Sequence, residues 1–245
     1  ALGVLHVHLS GGEPASRRDL EALTKGASAV GLYTNLITSG IGLSEKRMDG
    51  LQAAGLDHIQ LSIQGVDAAM ADTVANYRGG YERKIAVAGW ARARNIPLTV
   101  NAVCHRQNFD RLEEMIALAV SLGARRLEVA TVQFHGWAIA NRNQLMPTVE
   151  QAKFAHDTIL RAREKLLGVL VIDYVPADYH AKFPKACMGG WGQTGLNIDP
   201  TGKVLPCHAA ETISGLEFES VRDRKLAEIW FDGKAFNAFR GFDWM

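Results

Sequence analysis

The sequence predicts an α/β protein whose larger part, residues 1–178, is a partial (β/α)6 TIM-like barrel. Strand-like runs alternate with helical patterns along this part, which is typical of a parallel sheet with right-handed crossovers. The strands themselves alternate apolar and polar residues, as in "HIQLSIQ" at 58–64. Because the central strands of an open parallel sheet are apolar on both faces, this alternation predicts a curved sheet around a polar, ligand-holding interior.

A period of two residues locates the strands, and capping residues locate the helices. The predicted strands are 4–10, 32–38, 58–64, 98–104, 126–134 and 170–175. Helices are predicted to begin at Ser16, Ser44, Asp110 and Thr148, and the first three to stop at Gly31, Gly55 and Gly123. The carboxyl ends of the strands are the expected place for a ligand in such a barrel.

Composition excludes several classes of protein. The 245 residues carry a net charge of +1, with Lys and Arg spread along the chain, so no nucleic acid or membrane partner is indicated. No apolar run approaches the ~20 residues that a membrane-spanning helix needs. Three cysteines do not suggest a secreted disulfide framework, so we expect a cytoplasmic protein. Because a strand is predicted almost at the first residue, we also expect a longer protein in which another strand precedes residue 1.

The second part, residues 179–245, differs from the first in composition and in its pattern of predicted elements. Glycines and aromatic residues gather in "CMGGWGQTG" at 187–195, and "LNIDPTGKVL" at 196–205 predicts a β-hairpin. Cys207 follows the hairpin closely, and an amphipathic helix with Leu226, Ile229 and Trp230 lies near the end. This part is predicted to be an appended module rather than another barrel unit.

The first predicted strand ends in Gly11, Gly12, Glu13 and Pro14. Glycines let the backbone approach a ligand closely, and Pro14 stiffens the loop. A rigidly held carboxylate at the mouth of a polar barrel suits an ammonium group, through a charge-assisted hydrogen bond. The alternative is an ordinary loop acid.

Four segments together resemble the radical S-adenosylmethionine (SAM) enzymes. They are "GGEP" at 11–14, "LSIQG" at 61–65, "VCHRQN" at 103–108 and "LEVATVQFHGWA" at 127–138. The resemblance implies a [4Fe–4S] cluster that cleaves bound SAM reductively. The CxxxCxxC motif that ligates this cluster in the family is not among these residues.

The resemblance also implies roles for individual residues. Gly11, Gly12 and Glu13 would hold the amino group of the SAM methionine. Ser62 and Gln64 would contact the ribose, with plain polarity of the barrel interior as the alternative. Arg106, at the end of a strand, could pair with the SAM carboxylate, or it could be a surface arginine.

The C-terminal cysteines resemble the opening of a SPASM extension, which binds auxiliary iron–sulfur clusters. Cys187 is followed by fourteen residues, Gly202, four residues and Cys207. The resemblance therefore implies that Cys187 and Cys207 are metal ligands, although two thiols cannot complete a cluster that needs about four. Cys104 lies on the apolar face of its strand and is predicted to be a buried structural thiol.

Longer segments narrow the resemblance to the peptide cyclases of pyrroloquinoline quinone biosynthesis. They are "GLDHIQLSIQGVDA" at 55–68, "QFHGWAIANR" at 133–142, "PKACMGGWG" at 184–192 and "GKVLPCHAAETISGLEF" at 202–218. This implies carbon–carbon bond formation between Glu and Tyr side chains of the precursor peptide PqqA. It also implies the peptide chaperone PqqD and an electron donor such as flavodoxin as partners.

Two other functions stay open. One is another SPASM peptide-modifying enzyme, such as a sulfatase-maturating type, with the same cofactors. The other is a non-radical barrel enzyme or binding protein in which the cysteines are structural. A CxxxCxxC motif upstream of residue 1 would distinguish these possibilities.

Overall fold

The computed structural model describes residues 2–176 and 190–241. The chain forms two compact units, residues 5–180 and residues 181–245 with 1–4. Within the described residues, no helix combines the length and the apolar character that crossing a membrane requires.

The larger unit is built on a six-stranded parallel sheet in which every strand pairs with the next one in the chain. The strands are β1 (His6–Leu9), β2 (Tyr33–Thr38), β3 (His58–Ser62), β4 (Leu98–Cys104), β5 (Arg126–Thr131) and β6 (Val171–Val175). The register places His8 opposite Asn35, and Asn35 opposite His58. This sequential, all-parallel order confirms the predicted α/β fold.

Helices connect the strands. They are α1 (Leu20–Ala29), α2 (Glu45–Ala53), α3 (Ala68–Ala75), α4 (Gly80–Ala93), α5 (Leu112–Ser121), α6 (Trp137–Ala140), α7 (Arg142–Leu145) and α8 (Val149–Lys165). The apolar face of the sheet, with residues such as Leu61, Val100 and Leu127, packs in one core with helix residues such as Val87 and Met115. The other face carries polar residues such as His8, Asn35, Gln60 and Glu128.

Side chains on the polar face form hydrogen bonds from strand to strand. Gln60 of β3 donates a hydrogen bond of 3.1 Å to Glu128 of β5, across the intervening strand β4. His58 of β3 bonds Thr99 of β4 at 2.8 Å and Tyr33 of β2 at 3.2 Å. This network of polar side chains agrees with the predicted polar interior.

Two predicted helix starts are wrong. Ser16 ends a short 3-10 helix, Pro14–Ser16, and its hydroxyl donates to the Glu13 carbonyl at 2.7 Å. Asp19 is instead the N-cap residue of α1. Asp110 lies inside a 3-10 helix, Phe109–Arg111, that leads directly into α5. In both places a short turn begins before the α-helix, so the capping residue shifts along the chain.

Other predicted helix and strand boundaries lie closer to those in the structure. Ser44 and Thr148 cap α2 and α8 as predicted, and Thr148 forms a full capping box with Gln151. The predicted strands 58–64 and 126–134 are shorter in the structure, ending at Ser62 and Thr131. Their last residues form loops at the carboxyl edge of the sheet.

The smaller unit contains the predicted hairpin. Its strands, β7 (Asn197–Ile198) and β8 (Val204–Leu205), are antiparallel, and a 3-10 helix, His208–Thr212, follows them. Two short helices, α9 (Leu226–Asp232) and α10 (Lys234–Asn237), complete the described part. Val204, Ile229 and Phe236 form the centre of its core. The predicted helix with Leu226 and Ile229 is confirmed as α9.

Candidate active site

A pocket of about 430 Å³ lies at the carboxyl ends of the first three strands. Its lining comes from the ends of β1, β2 and β3 and from the two helices that follow β3. The lining residues are Ser10, Gly12, Ile37, Thr38, Ser39, Ser62, Gln64, Val74, Ala75 and Lys84. Hydroxyl, amide and ammonium groups therefore dominate the polar part of a pocket that is of ordinary size for a small molecule.

The loop after β1 is shaped by its glycines. Gly11 and Gly12 have φ values of +84° and +52°, in the left-handed region that glycine tolerates best. A Cβ atom at Gly12 would meet no other atom within 4 Å, so the space beside this backbone is open. Of the two glycines, Gly12 lines the pocket.

Glu13 holds this loop to the end of β2. One carboxylate oxygen accepts hydrogen bonds from the Ala15 N–H at 3.0 Å and the Thr38 hydroxyl at 2.6 Å. The other accepts from the Ser39 N–H at 2.7 Å and from the Ser39 hydroxyl. Each oxygen thus has two donors within the chain, and the carboxylate acts as a clamp between two loops. Contact between Glu13 and an ammonium group of a ligand stays a prediction.

Lys84 is the cationic group of the pocket. It lies on α4 and is 3% exposed, and its ammonium group donates to the Ser62 carbonyl at 2.8 Å and to Gln64 Oε1 at 3.0 Å. Burial lowers the pKa of this ammonium, while the carboxylates of Asp72 and Glu13 act in the opposite direction. An ammonium carries three donors, so two protein acceptors leave one for an anionic group in the pocket.

Ser62 and Gln64 lie together at the end of β3, and both line the pocket. Asn108 fixes this edge, because its amide donates to the Gln64 carbonyl at 3.1 Å and to the Val103 carbonyl at 3.0 Å. Gly65 follows at a point of close approach: a Cβ there would lie 2.4 Å from the Ala71 nitrogen. The segments "LSIQG" and "VCHRQN" are thus joined in space. Ribose contact by Ser62 and Gln64 stays a prediction.

Arg106 lies apart from the pocket lining. Its guanidinium donates to the backbone carbonyls of Met146 at 2.7 Å and Asn143 at 3.1 Å, at the end of α7. Arg106 is exposed and is not one of the ten lining residues. The predicted pairing of Arg106 with a carboxylate ligand stays a prediction, and Lys84 is a second candidate for that role.

The described cysteines differ in environment. Cys104 is buried, and burial raises the pKa of its thiol to about 12, which agrees with a structural role. Cys207 is half-buried and unpaired in the turn after β8. Cys187 lies outside the described residues. Residues 2–176 and 190–241 contain no group of three or more side chains placed to hold a metal ion.

Sequence reasoning missed Lys84, together with the helices α3 and α4. A usable signal was present: Lys84 shares one helix face with Val87, Ala88 and Ala91, at the spacing i, i+3, i+4 and i+7. A lysine in the apolar stripe of a helix must be buried or must reach a polar site. Ser10, Thr38 and Ser39 were also missed, because hydroxyls at strand ends carry no distinctive sequence pattern.

Comparison with known solved structures supports the fold. A structure of Streptococcus suis SuiB bound to S-adenosylmethionine matches with a TM-score of 0.78 at 16% identity, over 95% of this chain and 56% of that one. Native anSMEcpe with bound AdoMet matches with a TM-score of 0.74 at 13% identity, over 98% and 69% of the two chains. At these identities the likeness concerns the fold alone.

Sequence comparison gives relatives and domains. Two curated relatives are named PqqA peptide cyclase: one from Rhizobium meliloti (strain 1021), 67% identical over 100% of this chain, and one from Ruegeria pomeroyi, 60% identical over 99%. This chain spans 65% of the length of each. Residues 1–119 match the Radical SAM superfamily, and residues 187–245 match the SPASM iron–sulfur cluster-binding domain. The chain therefore combines a radical SAM domain with a SPASM iron–sulfur cluster-binding domain.

Proposed function

We propose that this chain is the central part of a PqqA peptide cyclase (PqqE), which joins a Glu and a Tyr side chain of PqqA by a carbon–carbon bond. The observation that carries the proposal is the 67% identity to a curated relative of that name over the whole chain. The precursor peptide PqqA is then the substrate, and the reaction belongs to the oxidoreductase class.

The donor set of the pocket fits SAM. The methionine part of SAM carries a carboxylate, which the buried Lys84 ammonium can bind by a charge-assisted hydrogen bond. The amino group of SAM would lie beside the Gly11–Gly12–Glu13 segment, where the open backbone at Gly12 and the Glu13 charge favour a cation. Ser62 and Gln64 would bind the ribose from the end of β3. Arg106 is the alternative partner of the carboxylate.

The residues of the chain would position the reactants rather than perform the difficult chemistry. Bound SAM and a reduced [4Fe–4S] cluster would supply the radical that removes a hydrogen atom from the peptide. Lys84 would hold the methionine carboxylate, and the Glu13 clamp would fix the loop that faces the amino group. The concave polar face, with Gln60 bonded to Glu128, would line the space for the peptide side chains.

The remaining components follow from the same proposal. Cys187 and Cys207 would ligate an auxiliary cluster of the SPASM domain, with further ligands from other residues. PqqD would present the peptide, an electron donor such as flavodoxin would reduce the catalytic cluster, and the protein would work in the cytoplasm. Residues 1–245 alone, which hold no CxxxCxxC motif, would not cleave SAM.

The decisive experiment uses the full-length gene product, reconstituted with iron and sulfide without oxygen. It is incubated with SAM, a reductant, PqqD and PqqA, and the peptide is examined by mass spectrometry. We expect 5′-deoxyadenosine and a Glu–Tyr cross-link with a mass loss of two hydrogens. SAM cleavage without any change in PqqA would favour another SPASM peptide-modifying enzyme. Absence of SAM cleavage would favour the non-radical alternative.

A further inference from the structure

A second pocket, of about 520 Å³, lies in the larger unit beside the candidate SAM pocket. We name it the arginine pocket, and its walls are residues 41–44, residues 77–79 and Arg83. We propose that the arginine pocket binds a carboxylate side chain of the precursor peptide, next to the SAM pocket. This inference rests on the proposed function and adds a docking point for the substrate.

The two pockets are lined by neighbouring residues of the same two segments. The loop after β2 contributes Ser39 to the SAM pocket and Ile41 to the arginine pocket. The segment at the end of α3 contributes Ala75 to the first and Tyr77 to the second. A peptide that enters the SAM pocket over this rim therefore passes the arginine pocket within a few residues.

Two guanidinium groups make the arginine pocket cationic. Arg78 makes no hydrogen bond or ion pair with any described residue, although it lines a concave surface. Arg83 is positioned by a bond to the Leu43 carbonyl at 3.4 Å and by the Trp90 ring at 5.8 Å, which leaves most of its donors free. Arginine binds carboxylates through paired N–H donors, so two such groups in one concavity suit an acidic side chain.

Nearby acidic groups do not neutralise this charge. The residues that line the arginine pocket include no Asp or Glu. Two acids adjoin the lining in sequence: Glu82 is exposed and makes no ion pair with a described residue, and Glu45 pairs with Arg94 at 3.5 Å. Asp72 accepts from the backbone nitrogens of Gly79 at 2.6 Å and Tyr81 at 2.9 Å. It is thereby turned to the backbone and fixes the loop that carries Arg78. Apolar side chains of Ile41 and Leu43 complete the wall and suit the methylene groups of a glutamate.

The test measures binding of fluorescently labelled PqqA to the intact, reconstituted protein by anisotropy. The variant R78Q/R83Q removes both cationic groups, and R92Q/R125Q removes two exposed arginines outside the pocket as a matched control. We expect R78Q/R83Q to bind PqqA roughly tenfold more weakly, with a smaller dependence on salt, because charge-assisted bonds are lost. The control should bind like the wild type, and SAM affinity should be unchanged in both.

PqqA peptides with single Glu→Gln or Asp→Asn changes identify the carboxylate. One such change should weaken binding to the wild type and cause no further loss with R78Q/R83Q. The inference is overturned if R78Q/R83Q binds PqqA like the wild type, if the control loses as much affinity, or if no single peptide change reproduces the loss. Wild-type protein that binds no PqqA and forms no cross-link would instead overturn the proposed function itself, and the inference with it.

Discussion

The carboxylate of Glu13 accepts a hydrogen bond of 2.6 Å from the hydroxyl of Thr38, which is 25 residues away at the end of β2. This bond joins the two loops that form one side of the candidate SAM pocket. The Glu13 side chain therefore contributes to the folded structure before any ligand is present. Its role in binding and its role in stability must be separated by experiment.

We expect Glu13→Gln to lower the free energy of unfolding by about 1–3 kcal/mol, because the new amide group would face the Ser39 donors. Thr38→Val should lower it less, and the double variant should lose less than the sum of the two, since they share a bond. Urea unfolding of all three variants measures this. Unfolding curves identical to the wild type would show that the clamp is not formed.

A change at Lys84 tests ligand binding. Lys84→Met keeps much of the side-chain volume but removes the buried charge, so SAM affinity should fall about ten- to a hundredfold. Lys25→Met, at an exposed position on α1, is the matched control and should leave affinity unchanged. Calorimetric titration of the full-length protein with SAM measures both. If Lys84→Met bound SAM normally, Arg106 would become the preferred partner of the carboxylate.

Two glycines should respond in opposite directions to the same change. In Gly65→Ala the added carbon would lie 2.4 Å from the Ala71 nitrogen, which is backbone and cannot move aside cheaply. We expect destabilisation by more than about 1 kcal/mol and weaker SAM binding, since Gln64 is adjacent. In Gly89→Ala, inside α4, nothing lies within 4 Å, so stability should rise by about 0.5–1 kcal/mol. Thermal unfolding of both variants measures the two stability changes, and a SAM titration measures the affinity of Gly65→Ala. Equal changes of the same sign would contradict the prediction.

The strands were predictable because a half-buried β-strand alternates apolar and polar residues along the sequence. In β3, Ile59 and Leu61 alternate with Gln60 and Ser62, and the structure buries the first pair completely. The helices α3 and α4 were missed, and in α4 the helical spacing of Val87, Ala88 and Ala91 is complete only when the charged Lys84 is counted with them. Its burial depends on acceptors at the end of β3, about twenty residues earlier in the chain.

The candidate active site could be predicted only where its residues are neighbours in the sequence. "GGEP" indicates an unusual loop from local properties, namely glycine conformations and a stiffening proline. The clamp from Glu13 to Thr38 and Ser39 depends on the pairing of β1 with β2, which no local pattern specifies. For the same reason the sequence did not show that Arg106 donates to two backbone carbonyls at the end of α7, and its pairing with a carboxylate ligand stays a prediction.

Histidines on the concave face should make stability depend on pH. Burial lowers the pKa of His58, with Arg126 and His8 acting in the same direction, and burial also lowers the pKa of His8. Below the usual value of 6.5 the unfolded chain binds more protons than the folded chain, so the free energy of unfolding should fall as the medium is acidified. Urea unfolding between about pH 7 and pH 5 measures this slope.

His58→Gln should make that slope smaller, because it removes one of the histidines that resists protonation in the folded state. Its amide can still reach the hydroxyls of Tyr33 and Thr99, which bond His58 in the wild type. His135→Gln, at an exposed position, is the matched control and should keep the wild-type slope. An unchanged slope in His58→Gln would mean that other groups cause the acid sensitivity.

Cys207 and Cys104 should differ in what their removal does to iron. Cys207 lies just after a tight hairpin, in which Asp199 accepts from Thr201 and Lys203 and Gly202 has a φ of +96°. Ligation of one auxiliary cluster by Cys207 together with Cys187, which lies outside the described residues, is the prediction to be tested. Cys207→Ala in the full-length protein should lose iron from an auxiliary site while SAM binding persists, and cross-linking should fail more than SAM cleavage.

Cys104→Ala is the control. It should lower the free energy of unfolding through a core cavity, and the iron content of the protein should stay that of the wild type. Iron analysis with EPR spectra separates the two, and full iron with full cross-linking in Cys207→Ala would make Cys207 an ordinary structural cysteine.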